Sequence, residues 1–567
     1  MKHSHQNTWC KTSIMGACLG LILTTSACGD APDRSSALNA IEAESIRAHI
    51  EVLADDALEG REAGTRGYDS AALYVANEFD YLGLTPLGDD GDWYQEVPFM
   101  QTQLDIESAR VELSGQDEAL SLTIRDDFIM SGGYGPASNT GPFEQSVTAP
   151  LVFVGYGIQS PDNNMDDFAG IDLNGKIAVM LSGAPASFAG AMRAYHSSGR
   201  TKQELAEKMG AVGIVTIRTP VDEARRSFDR YLPGLDRPGM HWIGKDGAVF
   251  ESFPGIKGSA TLSPEGAKKL MQYAGADLDG IFANLLADEN GNIPGTESFE
   301  LGISATLART SHQSRVQSSN VVAMIEGSDP ELKDEYVVYS GHLDHIGIRE
   351  AKGDDHIHNG AYDNATGVSV ILEIARAMKE LPVAPRRSII FAIVTGEEKG
   401  LQGSAYFTAN PPVPVTSMVA NINIDMPFLG LPVADLVPIG AEHSTLMAAI
   451  EQAAEATRMQ VTPDPLPEEV RFVRSDQFRF VQAGIPAVAF KPGSKSRDQG
   501  VDGEKRLDDF LKRNYHKPSD DLSLNFDSAA AQRFARAGLL TGLIVADDDQ
   551  RPTWLEGDFF GTKYSRN

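Results

Sequence analysis

GVSVILEIARAMKELPVAPRRSIIFAIVTGEE, residues 367–398, decides the fold class. Between Gly367 and Met378, the apolar residues Val368, Ile371, Ile374 and Ala375 share one helical face. Ile389 to Val394 is then an unbroken apolar run, the mark of a strand buried on both faces. It ends in Gly396 and two adjacent carboxylates, Glu397 and Glu398. The same alternation continues on both sides. Val337-Val338-Tyr339 is a strand upstream. Downstream, Leu401 to Phe407 is helical, Met418 to Ile424 a strand, Ala448 to Thr457 helical, Ala487 to Phe490 a strand and Ser528 to Ala546 a long helix. The pattern predicts an α/β fold, a mostly parallel central sheet with helices on both faces.

Ionisable groups stand where such sheets build their sites, past the carboxyl ends of the strands or in nearby loops. They are Gly341-His342-Leu343-Asp344-His345, Asn359-Gly360-Ala361-Tyr362-Asp363-Asn364, Thr395-Gly396-Glu397-Glu398, Ile424-Asp425-Met426 and Tyr515-His516. Singly, each has an ordinary reading: Asp363 or Asp425 as a helix cap, Glu397-Glu398 as a solvated pair, His516 as a core histidine. Together they form a metal-ligating set of imidazoles and carboxylates without cysteine, which favours Zn, Mn or Co over Mg alone or Cu(I). Two divalent ions about 3.5–4 Å apart need a bridging anion, and a nearby unbound carboxylate then serves as general base. Adjacent Glu397 and Glu398 can divide the base and ligand roles. Asp344 is placed to accept the second ring N–H of His342. His345, His356 and His358 are extra to the set, His356-Ile357-His358 reading as structural rather than as another metal site, and His196, His241, His312 and His443 have no assigned role. Asp547-Asp548-Asp549 reads as a solvated run.

The remaining chain has three parts. From Ala43 to Leu84, Ile46, Ile50, Leu53 and Leu58, then Ala71, Leu73, Ala76 and Phe79, keep helical spacing. From 131 to 300, Leu151–Val154, Lys176–Leu181 and Gly213–Ile217 predict a β-rich unit with one helix near Lys202–Met209. Residues 1–27 carry Lys2 and Lys11, no acid, and an apolar stretch of about ten residues. That is too short to span a bilayer and fits a signal peptide. Ala27 before Cys28 resembles a bacterial lipobox, so Cys28 is the expected lipidation site of an exported, envelope-anchored protein. Cys10 and Cys18 fall in the leader, and one cysteine cannot make an internal disulfide. The chain carries 79 acidic and 49 basic residues, a formal charge of -30, which becomes -32 once Lys2 and Lys11 are removed. Such a surface repels phosphate backbones, so nucleic acid is not an expected partner.

These motifs resemble the M28 family of cocatalytic zinc peptidases. The resemblance rests on His342 in GHLDH, Asp363 in NGAYDNATG, Glu397-Glu398 in GEEKGLQGS, Asp425 in NIDM and His516 in YHKPSD, in the family's order from about Asn320 to Asp520. Residues 53–79 resemble the family's lead-in. Residues 154–181 resemble a protease-associated (PA) domain. The resemblance implies two Zn2+ ions. His342 and Asp425 would hold one, Glu398 and His516 the other, Asp363 would bridge them and Glu397 would be the base. Tyr515 would face the developing oxyanion and Arg474 the substrate. Gln477 and Lys517 depart from residues frequent in the family and touch only substrate preference. The implied organisation is a signal peptide (1–27), a tether (28–40), the N-terminal part of the catalytic domain (41–130), a PA-like insert (131–300), the catalytic domain (301–550) and a tail (551–567). The implied function is a peptide-cleaving exopeptidase, foremost an aminopeptidase. Alternatives are a carboxypeptidase or dipeptidase using Arg474, Arg471 or Lys491, a one-zinc glutaminyl cyclotransferase, or a non-catalytic binding protein.

Overall fold

The computed structural model describes residues 34–566 apart from 189, 287–295, 350–352 and 470. The expected leader and Cys28 lie outside these residues. Among the described residues, no helix is long and apolar enough to cross a membrane.

The helix and strand read from residues 367–398 are Thr366–Lys379 and Ser388–Val394. The sheet is centred on Tyr336–His342, which lies between Ser388–Val394 and Met418–Asn423 and runs parallel to both. Ala487–Pro492 adds a further parallel strand, and Asp435–Ile439 pairs antiparallel beyond it. Successive side chains alternate between two cores. Val337, Tyr339, Ile389, Phe391 and Ile393 pack under the helices Ala43–Leu53, Arg66–Tyr81, Thr366–Lys379 and Ser528–Asp547. Val338, Ile390, Ala392 and Val394 pack on the opposite face with Phe407, Phe478 and Phe480. Each fully buried aliphatic or aromatic side chain is worth about 1.5–3 kcal/mol, so a strand covered on both faces needs no polar residue until its end.

The strand Phe299–Ile325, 27 residues long, continues the sheet. Its last residues pair with Ser388–Val394, and its earlier ones lie antiparallel between Tyr94–Ser114 and Gly141–Phe153. Beyond Gly141–Phe153 follow three parallel strands, Ile177–Leu181, Gly213–Ile217 and Ser259–Leu262. Among the described residues, sixteen strands form one sheet. A third core fills this second half, built by Val179, Val215, Leu262 and Leu307 together with Leu104, Val111, Leu113 and Phe128. It therefore reaches well to the N-terminal side of residue 131.

Two expectations are corrected. The 131–300 stretch holds five described helices, not one: Gly190–Ser197, Gly199–Lys208, Pro220–Arg225, Pro264–Tyr273 and Leu278–Ala283. All are ten residues or shorter, too brief for a clear apolar period, yet Thr219-Pro220 and Ser263-Pro264 are good helix starts, a capping hydroxyl before a proline. The tail is also tied down, with Phe560 fully buried against Phe472 and Phe478. The acidic run ahead of it is solvated as expected at Asp548 and Asp549, while Asp547 pairs with Arg34 at 2.8 Å.

Candidate metal centre

The strand order brings the ionisable groups to one edge. His342 ends Tyr336–His342, Asp425 follows Met418–Asn423, and Glu397 and Glu398 follow Ser388–Val394. Asp363 sits in the turn before Thr366–Lys379. Asn364 pins that turn: its Nδ2 donates to the carbonyls of His342 and Ile424, each at 3.1 Å, and its Oδ1 accepts the N–H of Met426 at 2.9 Å. Gly360 has φ of 59°, and a Cβ there would stand 2.1 Å from the Asp363 carbonyl oxygen, so the turn closes only with glycine. The Asp520 carboxylate accepts the N–H of Tyr362 at 2.9 Å and of Asp363 at 3.1 Å.

Two groups of ligating atoms result, and they share one carboxylate. His342 Nε2 lies 3.3 Å from Asp363 Oδ1 and 3.4 Å from Asp425 Oδ1. His516 Nε2 lies 3.1 Å from Asp363 Oδ2 and 3.2 Å from Glu398 Oε1. The second group holds a further imidazole. His345 Nδ1 stands 2.9 Å from Glu398 Oε1 and 3.9 Å from Asp363 Oδ2. His342, Asp363 and Asp425, and likewise His345, Asp363 and Glu398, offer atoms close enough to hold one ion each. Both ring nitrogens of the fully buried His345, and Glu398 Oε1, lack a hydrogen-bond partner. Buried polar atoms are normally paired, and a cation beside Nδ1 and Oε1 satisfies both. The residues present therefore fit metal binding. His345, left outside the ligand set on the sequence, stands within this group.

Asp344 plays a different part from the one expected. The Asp344 backbone carbonyl takes the His342 Nδ1–H at 3.0 Å, while its carboxylate is 4.0 Å from that nitrogen. The carboxylate instead accepts the N–H of Glu397 at 3.1 Å and of Glu398 at 3.3 Å. Two residues along the same turn, the carbonyl reaches the ring first. The imidazole is still oriented, and the side chain is free to shape the Glu397-Glu398 loop. Burial, against the pull of His342, pushes the Asp344 carboxyl up to about 7.

The adjacent glutamates are pushed apart. Burial raises Glu397 well above the usual carboxylate range. The nearby His342 opposes this, and the negative charges of Glu398 and Asp425 add to it. At Glu398, burial is outweighed by His516, which holds the carboxyl well below its usual range. At Asp363, hydrogen bonds from His342 and His516 likewise overcome burial. Burial and neighbouring charge thus push the two adjacent carboxyls in opposite directions, Glu397 up and Glu398 down.

Other residues place these groups. Ser475 Oγ donates to Asp425 Oδ2 at 2.6 Å. Arg61, fully buried, donates to the carbonyls of Leu343 at 2.9 Å, Asn359 at 2.6 Å, Gly360 at 3.0 Å and also Leu53. It ties the N-terminal segment to the two loops carrying His345 and Asp363. Tyr515 packs on His516, ring centroids 3.9 Å apart. Arg474 is partly exposed and pairs with Glu469 at 3.2 Å, Arg471 pairs with Asp464, and Lys491 Nζ donates to the Asp425 carbonyl at 2.7 Å.

The model of peptidase family M28 matches residues 320–541. This segment belongs to peptidase family M28. Every residue of both ligating groups falls within the M28 segment. Aminopeptidase NAALADL1 of Rattus norvegicus is 36% identical over 126 residues, 21% of this chain and 14% of that protein. A probable zinc metalloprotease of Leptosphaeria maculans is 34% identical over 113 residues, 20% of this chain and 25% of that protein. The chain thus spans a quarter or less of the length of these relatives. The solved aminopeptidase from Aneurinibacillus sp. strain AM-1 aligns over 94% of this chain and 100% of its own, with TM-score 0.52 at 18% identity. The M28 segment and the sheet that extends it share that fold.

Proposed function

We propose that the chain is a zinc-dependent exopeptidase that holds two metal ions and releases N-terminal residues from peptides. One observation carries the reading: the two oxygens of Asp363 are divided between two ligating groups, with Glu397 beside both. Zinc suits the nitrogen and oxygen donors, and relatives named as zinc metalloprotease and aminopeptidase support the metal and the reaction. When bound, zinc supplies Lewis acidity to the attacking water and the scissile carbonyl. His342 and Asp425 would hold one ion, Glu398 and His516 the other, and Asp363 would be shared between them. Glu397 accepts the proton of the attacking water and returns it to the leaving amine. Tyr515 donates a hydrogen bond to the carbonyl oxygen as charge develops there. The anionic surroundings favour a substrate's free ammonium group.

The test is a panel of peptides with free and acetylated N-termini, with metal analysis of the same sample. Cleavage confined to free amines supports an aminopeptidase, and equal cleavage of acetylated peptides overturns that assignment. A carboxypeptidase or dipeptidase needs a cation for the terminal carboxylate. Arg474, Arg471 and Lys491 already have partners, but cations in the adjoining cavity keep this reading open, and amidated C-termini decide it. One metal ion per chain with glutaminyl cyclisation and no hydrolysis overturns both. Export and lipid anchoring at Cys28 are part of the proposal. A Cys28→Ser chain that still partitions with membranes removes the anchor.

A further inference from the structure

The metal centre opens into a cavity of about 900 Å³. His345 and Glu398 form part of one wall. The strand ends around Ser182 and Arg218 and residues of the segment 225–239 line the same cavity. The chain as a whole has more acids than bases, 79 against 49, yet nine lysines and arginines line this cavity against four aspartates and glutamates. All four acids are engaged: Asp222 with Arg225 at 3.2 Å, Glu251 with Arg479 at 2.8 Å, Glu469 with Arg474 at 3.2 Å, and Glu398 in the metal centre. Among the described residues, Arg226 and Arg237 make no ion pair. Arg226 lies over the Tyr231 ring at 5.7 Å. Arg237 lines the same cavity as Glu398 and has a buried Nε without a hydrogen-bond partner; burial and the repulsion of Arg349 lower its pKa, against the pull of Glu398, Glu62 and Asp236.

A half-buried guanidinium without an anion in direct contact is costly, and its fork of N–H donors matches a carboxylate in two-point contact. The volume is that of a pocket for a small ligand or short peptide. We propose that this cavity holds carboxylate groups of the peptide beyond the scissile bond, with Arg237 and Arg226 as the contacts. This rests on the peptidase reading above. The carboxylate can be an acidic side chain or the C-terminus.

The test uses the full-length Glu397→Gln chain, so that peptides persist, and calorimetric binding of three tetrapeptides with one N-terminal residue. The first has acidic side chains and an amidated C-terminus, the second neutral side chains and a free C-terminus, the third neither charge. At least one charged peptide is expected to bind about tenfold or more tightly than the third, and which one identifies the source. Combined Arg226→Gln and Arg237→Gln substitution should erase that advantage, and added salt should reduce it in the unsubstituted arginine background. Equal binding of all three peptides, or an advantage that survives both substitutions, overturns the proposal. Hydrolysis of the neutral amidated peptide by the unsubstituted chain separates the two readings. If no peptide is cleaved, the peptidase reading falls. If all are cleaved and bound without preference, the subsite alone falls.

Discussion

The two halves of the sheet face the same cavity with opposite chemistry. On one side, parallel strands end at His345 and Glu398; on the other, Ile177–Leu181 and Gly213–Ile217 end at Ser182-Gly183 and Arg218. The first set is anionic, buried and gathered within hydrogen-bond range. The second is cationic and spread along the wall. Parallel topology thus fixes where a site forms, and the side chains at the strand ends fix what it does.

The sharpest way to break this comparison is Glu397→Gln. If the anionic half performs the chemistry, turnover falls by roughly 10²–10⁴-fold with metal content retained. Undiminished peptide hydrolysis would remove Glu397 from the mechanism. Next is Arg61→Met. It leaves four carbonyls without their donor and should cost about 3 kcal/mol in urea unfolding. An unfolding midpoint equal to that of the parent chain would show that the clamp on the metal loops is not needed. Third is His345→Ala. As a ligand, its loss should weaken metal binding by about 10-fold or more in a metal titration. Lower stability with unaltered metal affinity would return it to a packing role.

The last test addresses the cationic half. Burial, against the pull of Asp167 and Asp222, pushes the Lys202 amine down to about 7, where it donates to the carbonyls of Leu181 at 2.7 Å and Gly183 at 2.6 Å. Between about 7 and the ordinary 10.5, the unfolded chain holds a proton that the folded one has released. Stability therefore rises with pH across that window. Lys202→Met should flatten the rise in Tm between pH 7 and 10, and an equal slope in both proteins would contradict the assignment.

The sheet was legible because residues 337–490 alternate apolar strands with amphipathic helices, so burial on both faces is written into composition. The ligand candidates were legible because polar residues break those apolar runs just past their ends. His345 was not, since a second histidine three residues after His342 looks like packing until the Asp363 loop closes over it. Arg61 looks like a solvated loop residue, and its burial depends on contacts almost 300 residues away. Asp344 was assigned to the wrong donor because sequence cannot tell which oxygen of a turn residue lies nearer a ring. The cavity's charge was hidden because arginines from separate segments meet only in the fold, against an acidic background.

The strand Phe299–Ile325 bears on modularity. It pairs with the Ser388–Val394 strand at one end and lies between Tyr94–Ser114 and Gly141–Phe153 along the rest. Residues 131–300 are therefore not a detachable cassette. Cutting them out removes Gly141–Phe153, bares one edge of a long strand and opens the third core, leaving a template for self-association. Swapping this region between relatives would need a graft that begins within Tyr94–Ser114 and carries the whole shared strand with it.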